Sequence, residues 1–299
     1  MIEVGEQEEE SYGRIFVQFL PQIGALRKRG LAGWAILSGG TVVGLLAIMT
    51  LIAPWISPYS PIAINVGPLL SPPSAQYPLG TNHLGQDMLS RVYYGGAIMF
   101  QVSILSVIVC LLVGVPIGLF ASFKGGFTDK VASLVMDSIY AFPGLVLAIA
   151  IAAMLGPGVV NMALSIAVVY VPSYFRIIRS QVLTIKELPY VDAARMMGAK
   201  TRTTLGSYIL PNIIPSIVAV ATINFADAIL TAAGLTFVGL GLSVSTPDWG
   251  WDLTYGRRLL TSGAWWVITF PGIMVVLLAL GFTLLGEGLS ELFNPRLER

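Results

Sequence analysis

The sequence predicts an all-α integral membrane protein with six transmembrane helices and a cytoplasmic helical segment between the fourth and fifth. Three observations carry that expectation. Of 299 residues, 55% are hydrophobic and 11% charged, and the mean hydropathy is +0.79, too apolar for a soluble domain. Apolar runs of about 20 residues, the length that crosses ~30 Å of hydrocarbon, recur along the chain. Lysines and arginines crowd into alternate connections, as they do on the cytoplasmic side of membrane proteins.

In order, residues 1–32 form an inner tail with acidic residues from Glu3 to Glu10 and the basic run Arg27-Lys28-Arg29. The first span covers 33–56 and is too long for the apolar core of a cleaved signal. A Pro-rich outer loop, 57–96, precedes the core of five further helices in 97–288. Those spans are expected at 97–121, 131–155, 159–180, 209–235 and 265–286, with a short inner tail at 289–299. With the N-terminus inside, the inner segments hold all 17 lysines and arginines except Arg91, Arg257 and Arg258. Both termini are therefore expected in the cytoplasm. Trp34, Trp55, Trp265 and Trp266 fall near span ends, where interfacial aromatics belong.

Composition excludes several classes. Cys110 is the single cysteine and His83 the single histidine, so neither a disulfide framework nor a metal site is expected. A net charge of +1 suggests no nucleic-acid partner. There is no Gly-x-x-x-x-Gly-Lys-Ser/Thr phosphate loop, and no nucleophile with its base, so the chain is not expected to be an enzyme.

The longest polar interruption with a helical design of its own is 187–208. Pro189 suits a first helical position, Asp192 places negative charge near the start, Ala193 and Ala194 make a small-residue patch, and Gly198 can end the helix. A second polar helix is expected over 200–208, before Leu210 and Pro211 lead into the fifth span. On these residues alone, the segment reads as an ordinary amphipathic surface helix.

Ionisable groups inside spans are costly and usually face a cavity or a partner helix. Asp137 in the third span and Asp227 in the fifth qualify, with Asn224 one turn before Asp227. Asp227 lies beyond the middle of its span, so it either lines a cavity or makes a helix–helix hydrogen bond. Glycines Gly39, Gly40 and Gly44 suggest close helix contact in the first span.

The positions Asp192, Ala193, Ala194, Gly198, Leu210 and Pro211 resemble the cytoplasmic signature of binding-protein-dependent ABC permeases. Asp192 replaces the usual Glu, and Tyr208 stands where a branched aliphatic is common. The resemblance implies that this segment, Arg195 included, is a coupling helix that docks into a separate ATPase. In the outer loop, Gly80, Thr81, Gly85, Asp87, Leu89, Ser90 and Arg91 are similar to a signature of the dipeptide and oligopeptide branch. Asn82 and Gln86 depart from its common Asp and Arg. Asp87 stands four residues before Arg91, which permits a local ion pair; the plainer reading is a solvated loop. Toward the end, Gly234–Gly241, Pro247-Asp-Trp-Gly250, Trp265-Trp266, Pro271-Gly272, and Leu285–Leu289 with Asn294-Pro-Arg296 resemble the second, C-type permease subunit of that branch.

Together these resemblances imply the type I ABC importer permease fold in the cell membrane. The implied partners are a second, similar permease, two cytoplasmic ATPases that use ATP and magnesium, and an extracellular substrate-binding protein, with no cofactor on this chain. Peptides are the leading substrate class; oligosaccharides and nickel complexes are served by related permeases. The alternative from another class is an ion-gradient-driven secondary transporter, which would be expected to show paired intramembrane charges in two related halves.

Overall fold

The computed structural model describes residues 30–242 and 246–292. The acidic tail, the Arg27-Lys28-Arg29 cluster and the final residues with Asn294 and Arg296 lie outside them. The regular structure of the described residues is helical, with a long loop over 57–87: α1 (Gly30–Ile56), α2 (Met88–Lys124), α3 (Gly126–Tyr140), α4 (Gly144–Leu155), α5 (Val159–Ile185), α6 (Pro189–Met196), α7 (Thr201–Phe237), α8 (Trp249–Leu259) and α9 (Trp266–Leu292). Five of these, α1, α2, α5, α7 and α9, are long and apolar enough to cross a membrane.

The remaining expected span differs from expectation. Instead of one straight span over 131–155, α3 and α4 meet at an angle of 89°. Pro143 sits at the N-cap of α4, and its ring disfavours the helical conformation at Phe142, so the chain turns where hydropathy continues unbroken.

Two other boundaries move for local reasons. α2 begins at Met88 rather than at 97, because the Asp87 carboxylate accepts the Ser90 N–H at 2.8 Å and caps it. The separate polar helix expected over 200–208 is instead the first part of α7. Residues Thr204–Ile209 form a π-helical turn, with the Leu210 N–H donating to the Leu205 carbonyl. That wider turn carries the helix past Pro211, which has no N–H to give and would crowd the Ser207 carbonyl in an α-helical register.

Packing then follows side-chain size. α2 runs along α5, α1 along α9, and α7 against α9. α1 reaches α9 through Gly39, where a Cβ would stand 2.5 Å from the Gly281 carbonyl oxygen; Gly40 makes only an ordinary contact and Gly44 none. One buried apolar cluster gathers Met99, Met162, Ile166, Ile229, Leu235 and Leu278 with Trp249. A second, toward α6, gathers Ile178, Val182, Val191, Ile209 and Ile213. Outside these clusters α1 leaves Leu45 and Leu51 exposed, as a lipid-facing helix would.

Candidate functional site

The segment expected to dock is a short helix held by its own caps and by two side chains. Pro189 stands in the first turn of α6, and Asp192 follows in that turn. Val191 and Ala194 are buried, and Val191 packs with Ile209 and Ile213 of α7. Asp192, Ala193, Met196 and Met197 remain exposed. The helix ends in a closed motif: the Ala199 N–H donates to the Ala194 carbonyl at 3.0 Å and the Gly198 N–H to that of Arg195 at 2.9 Å. Gly198 has φ +89°, a conformation that costs other L-residues strain. The Arg195 guanidinium lies 4.7 Å from the Phe123 ring centroid at the end of α2, and 3.6 Å from Asp192. Leu210 and Pro211 directly follow the π-turn, so α6 rests on the root of a continuous helix that runs to Asn224 and Asp227.

The loop motif at the other end is buried rather than solvated. Thr81, Gln86, Asp87, Ser90 and Arg91 are all at most 2% exposed. The expected Asp87–Arg91 pair is absent. Asp87 is spent on the helix cap, accepting both the N–H and the hydroxyl of Ser90. Arg91 instead reaches across the fold to Asp252 of α8, Nε to Oδ1 at 2.8 Å, and donates to the Pro61 carbonyl and Gln86. Helical direction explains the swap: Asp87 precedes the first turn and turns back over it, leaving Arg91 free to face α8. Gly80 and Gly85 take positive φ to close the loop, Thr81 accepts the Ser71 N–H, and the Trp266 indole donates to the Thr81 carbonyl. Trp249 seals the other side. Its Nε1 donates to the Val92 carbonyl at 2.9 Å, and its ring fills the space any Cβ on Gly95 would need.

The two departures from the family pattern are hydrogen-bonded to each other, Asn82 Nδ2 donating to Gln86 Oε1 at 2.8 Å. A neutral pair thus stands where the pattern has opposite charges. Asn82→Asp alone would turn two acceptors toward each other, and Gln86→Arg alone would add a guanidinium beside Arg91. Each single change should cost about 1–3 kcal/mol, and the double change should recover more than half of the summed loss in thermal unfolding.

The same cap carries a pH dependence. Burial pushes the Asp248 carboxyl up to about 7, against the opposing effect of the hydrogen bond from the Gly250 N–H. The protonated form is therefore favoured in the folded state. Below the unfolded value of 3.8 both states are protonated and nothing is lost; stability falls as pH rises from there to about 7. Asp248→Asn keeps an acceptor for Gly250 and should flatten the melting temperature over that window. An unchanged slope would assign the pH dependence elsewhere. His83, stacked on Tyr255 with ring centroids 4.6 Å apart, is lowered by burial and then by the Arg91 charge.

Within the bundle, α3, α4, α5 and α7 enclose a cavity of about 320 Å³. Asn224 and Asp227 both line it, with Tyr140, Tyr170 and Ser173. Asn224 is buried and Asp227 half-buried. Among the described residues no side chain bonds the Asp227 carboxylate; the helix–helix bond at this level joins Tyr170 Oη to Thr231 Oγ1 at 2.8 Å. Asp137 does not line the cavity. It pairs with Arg176 at 2.9 Å, both side chains more than half exposed, and Arg176 in turn lies 4.3 Å from the ring centroid of Tyr140. Such an exposed pair is worth about 1 kcal/mol or less. One turn further along α5, Arg179 makes a two-pronged pair with Asp129 at 2.7 and 2.8 Å, which ties α3 to α5.

Tyr170, Ser173 and Arg176 were not among the sequence candidates. Their spacing of three puts them on one face of α5, and polar residues repeating at that spacing within a span are the signal that could have found them.

Comparison with known proteins gives a consistent picture. The family described as binding-protein-dependent transport system inner membrane component matches residues 114–299. The chain is 38% identical over 267 residues to the di/tripeptide transport system permease protein DppC of Pseudomonas aeruginosa, spanning 87% of this chain and 88% of that one. It is 34% identical over 259 residues to the probable D,D-dipeptide transport system permease protein DdpC of Escherichia coli, spanning 87% of each. Over 272 residues it is 34% identical to the glutathione transport system permease protein GsiD of Pectobacterium atrosepticum, spanning 91% of this chain and 90% of that one.

Proposed function

The chain belongs to the family of binding-protein-dependent transport system inner membrane components, and from that premise we propose that it carries short peptides inward as one permease of an ATP-driven importer. It is a multi-pass inner membrane protein and a non-enzymatic subunit. The observation that carries the peptide reading is the match, over most of both chains, to relatives named for di- and tripeptides, D,D-dipeptides and glutathione. Family membership sets aside the gradient-driven alternative.

In this reading a second, similar permease completes the pathway, an extracellular binding protein delivers substrate at the capped end, and two ATPases that use ATP and magnesium act at the other. Both termini lie in the cytoplasm. Asp192, Ala193, Ala194, Arg195 and Gly198 shape the element that meets an ATPase, and Leu210 and Pro211 join it to α7. The arrangement supports this reading because α6 presents exposed Ala193, Met196 and Met197 while Val191 fastens it to the helix that lines the cavity.

The test is uptake by the importer reconstituted in proteoliposomes with its cognate permease, ATPases and binding protein. Dialanine should enter in an ATP-dependent way. Uptake of maltotriose or a nickel chelate in its place would overturn the peptide reading while keeping the importer.

A further inference from the structure

We propose that the cavity between α3, α4, α5 and α7 reads the two termini of a peptide in transit, Asp227 receiving the α-ammonium and Arg176 the terminal carboxylate. This rests on the peptide-importer reading above.

A carboxylate lines the space, and a guanidinium covers the ring that forms one of its walls. Asp227 lines the cavity, and among the described residues its carboxylate has no bonding partner. Arg176 lies two turns of α5 beyond Tyr170 and one beyond Ser173, both cavity-lining, and its guanidinium covers the ring of Tyr140, which lines the cavity too. The arginine is exchangeable: its partner Asp137 is itself more than half exposed, so a substrate carboxylate can take the place of Asp137 and leave that side chain to water. A lone carboxylate would favour any cation. A carboxylate with a releasable guanidinium nearby favours a zwitterion.

Size and lining agree with this. At about 320 Å³ the space lies at the lower end of small-ligand sites, and a dipeptide or tripeptide extends only ~3.3–3.6 Å per residue. Asn224, Tyr170 and Ser173 offer groups that can bond a peptide backbone, whereas Ile139, Phe142 and Val169 present apolar walls. Such a site holds the features common to all short peptides and is tolerant of their side chains.

The experiment uses the complete reconstituted importer at saturating binding protein, with dialanine for uptake and alanyl-p-benzoylphenylalanine as photolabel. Asp227→Asn and Arg176→Gln should each slow dialanine uptake roughly tenfold and reduce labelling of the Ile139–Gly144 and Val169–Ser173 segments equally. Asp227→Glu and Arg176→Lys should stay within about threefold of the parent, and Asp137→Asn should leave uptake unimpaired. Unchanged uptake in the Asn and Gln variants overturns the site and leaves the peptide reading standing. Equal losses in the charge-conserving variants overturn it as well, since packing rather than charge would then matter. Failure of the parent importer to take up dialanine overturns the peptide reading itself.

Discussion

Replacing Arg91 with methionine should lower stability by about 3–5 kcal/mol, the largest effect expected of any single change in the cap. The reason is what the guanidinium leaves behind. Asp252 would keep a carboxylate whose side chain is 4% exposed, and Gln86 and the Pro61 carbonyl would each lose a donor. Burial already pushes the Asp252 carboxyl above its ordinary value, and Arg91 is what opposes that. Thermal unfolding in detergent should show a drop on the order of 10 °C. The double change Arg91→Met with Asp252→Leu should recover most of it, because removing both charges abolishes the uncompensated burial. If the double variant were as unstable as the single, the loss would lie in packing around α8 rather than in the ion pair.

Substitutions at Gly198 should impair transport in the order Asn, then Ala, then Val. All three leave the open space around the residue unfilled by any clash, so the effect comes from φ +89° alone. Asn tolerates that region, Ala pays about 1–2 kcal/mol, and a β-branched residue pays more. Since ~1.4 kcal/mol is a tenfold change in a local equilibrium, Val should leave the closed end of α6 populated in a small minority of molecules. Met196 and Met197 would then point elsewhere, and both ATPase co-purification and dialanine uptake should fall by roughly tenfold or more. Normal uptake by the Val variant would mean that α6 does not have to be held in this shape to couple.

Much of this molecule was legible along the chain. Hydropathy located the five long apolar helices, because the cost of exposing polar backbone to lipid forces such helices whatever their neighbours. Pro189, Asp192 and Gly198 announced α6, since caps act within a few residues. The cap at the other end misled for the opposite reason. A polar, glycine-rich loop reads as solvated, yet Asn82, Gln86 and Arg91 are buried by partners from Ile62 to Asp252.

The sequence by itself determined the all-helical membrane class, the order of the spans, the short polar helix α6 and the candidacy of Asn224 and Asp227. These follow from periodicity, capping and the cost of charge in hydrocarbon, all of which act locally. Only the tertiary structure decided that Arg91 pairs with Asp252 and not Asp87, that the expected third span breaks by 89° at Pro143, and that Tyr140, Tyr170 and Ser173 line one cavity with Asp227. Those outcomes depend on which helix faces touch, and contact between faces far apart in the chain is set by the packing of the whole bundle.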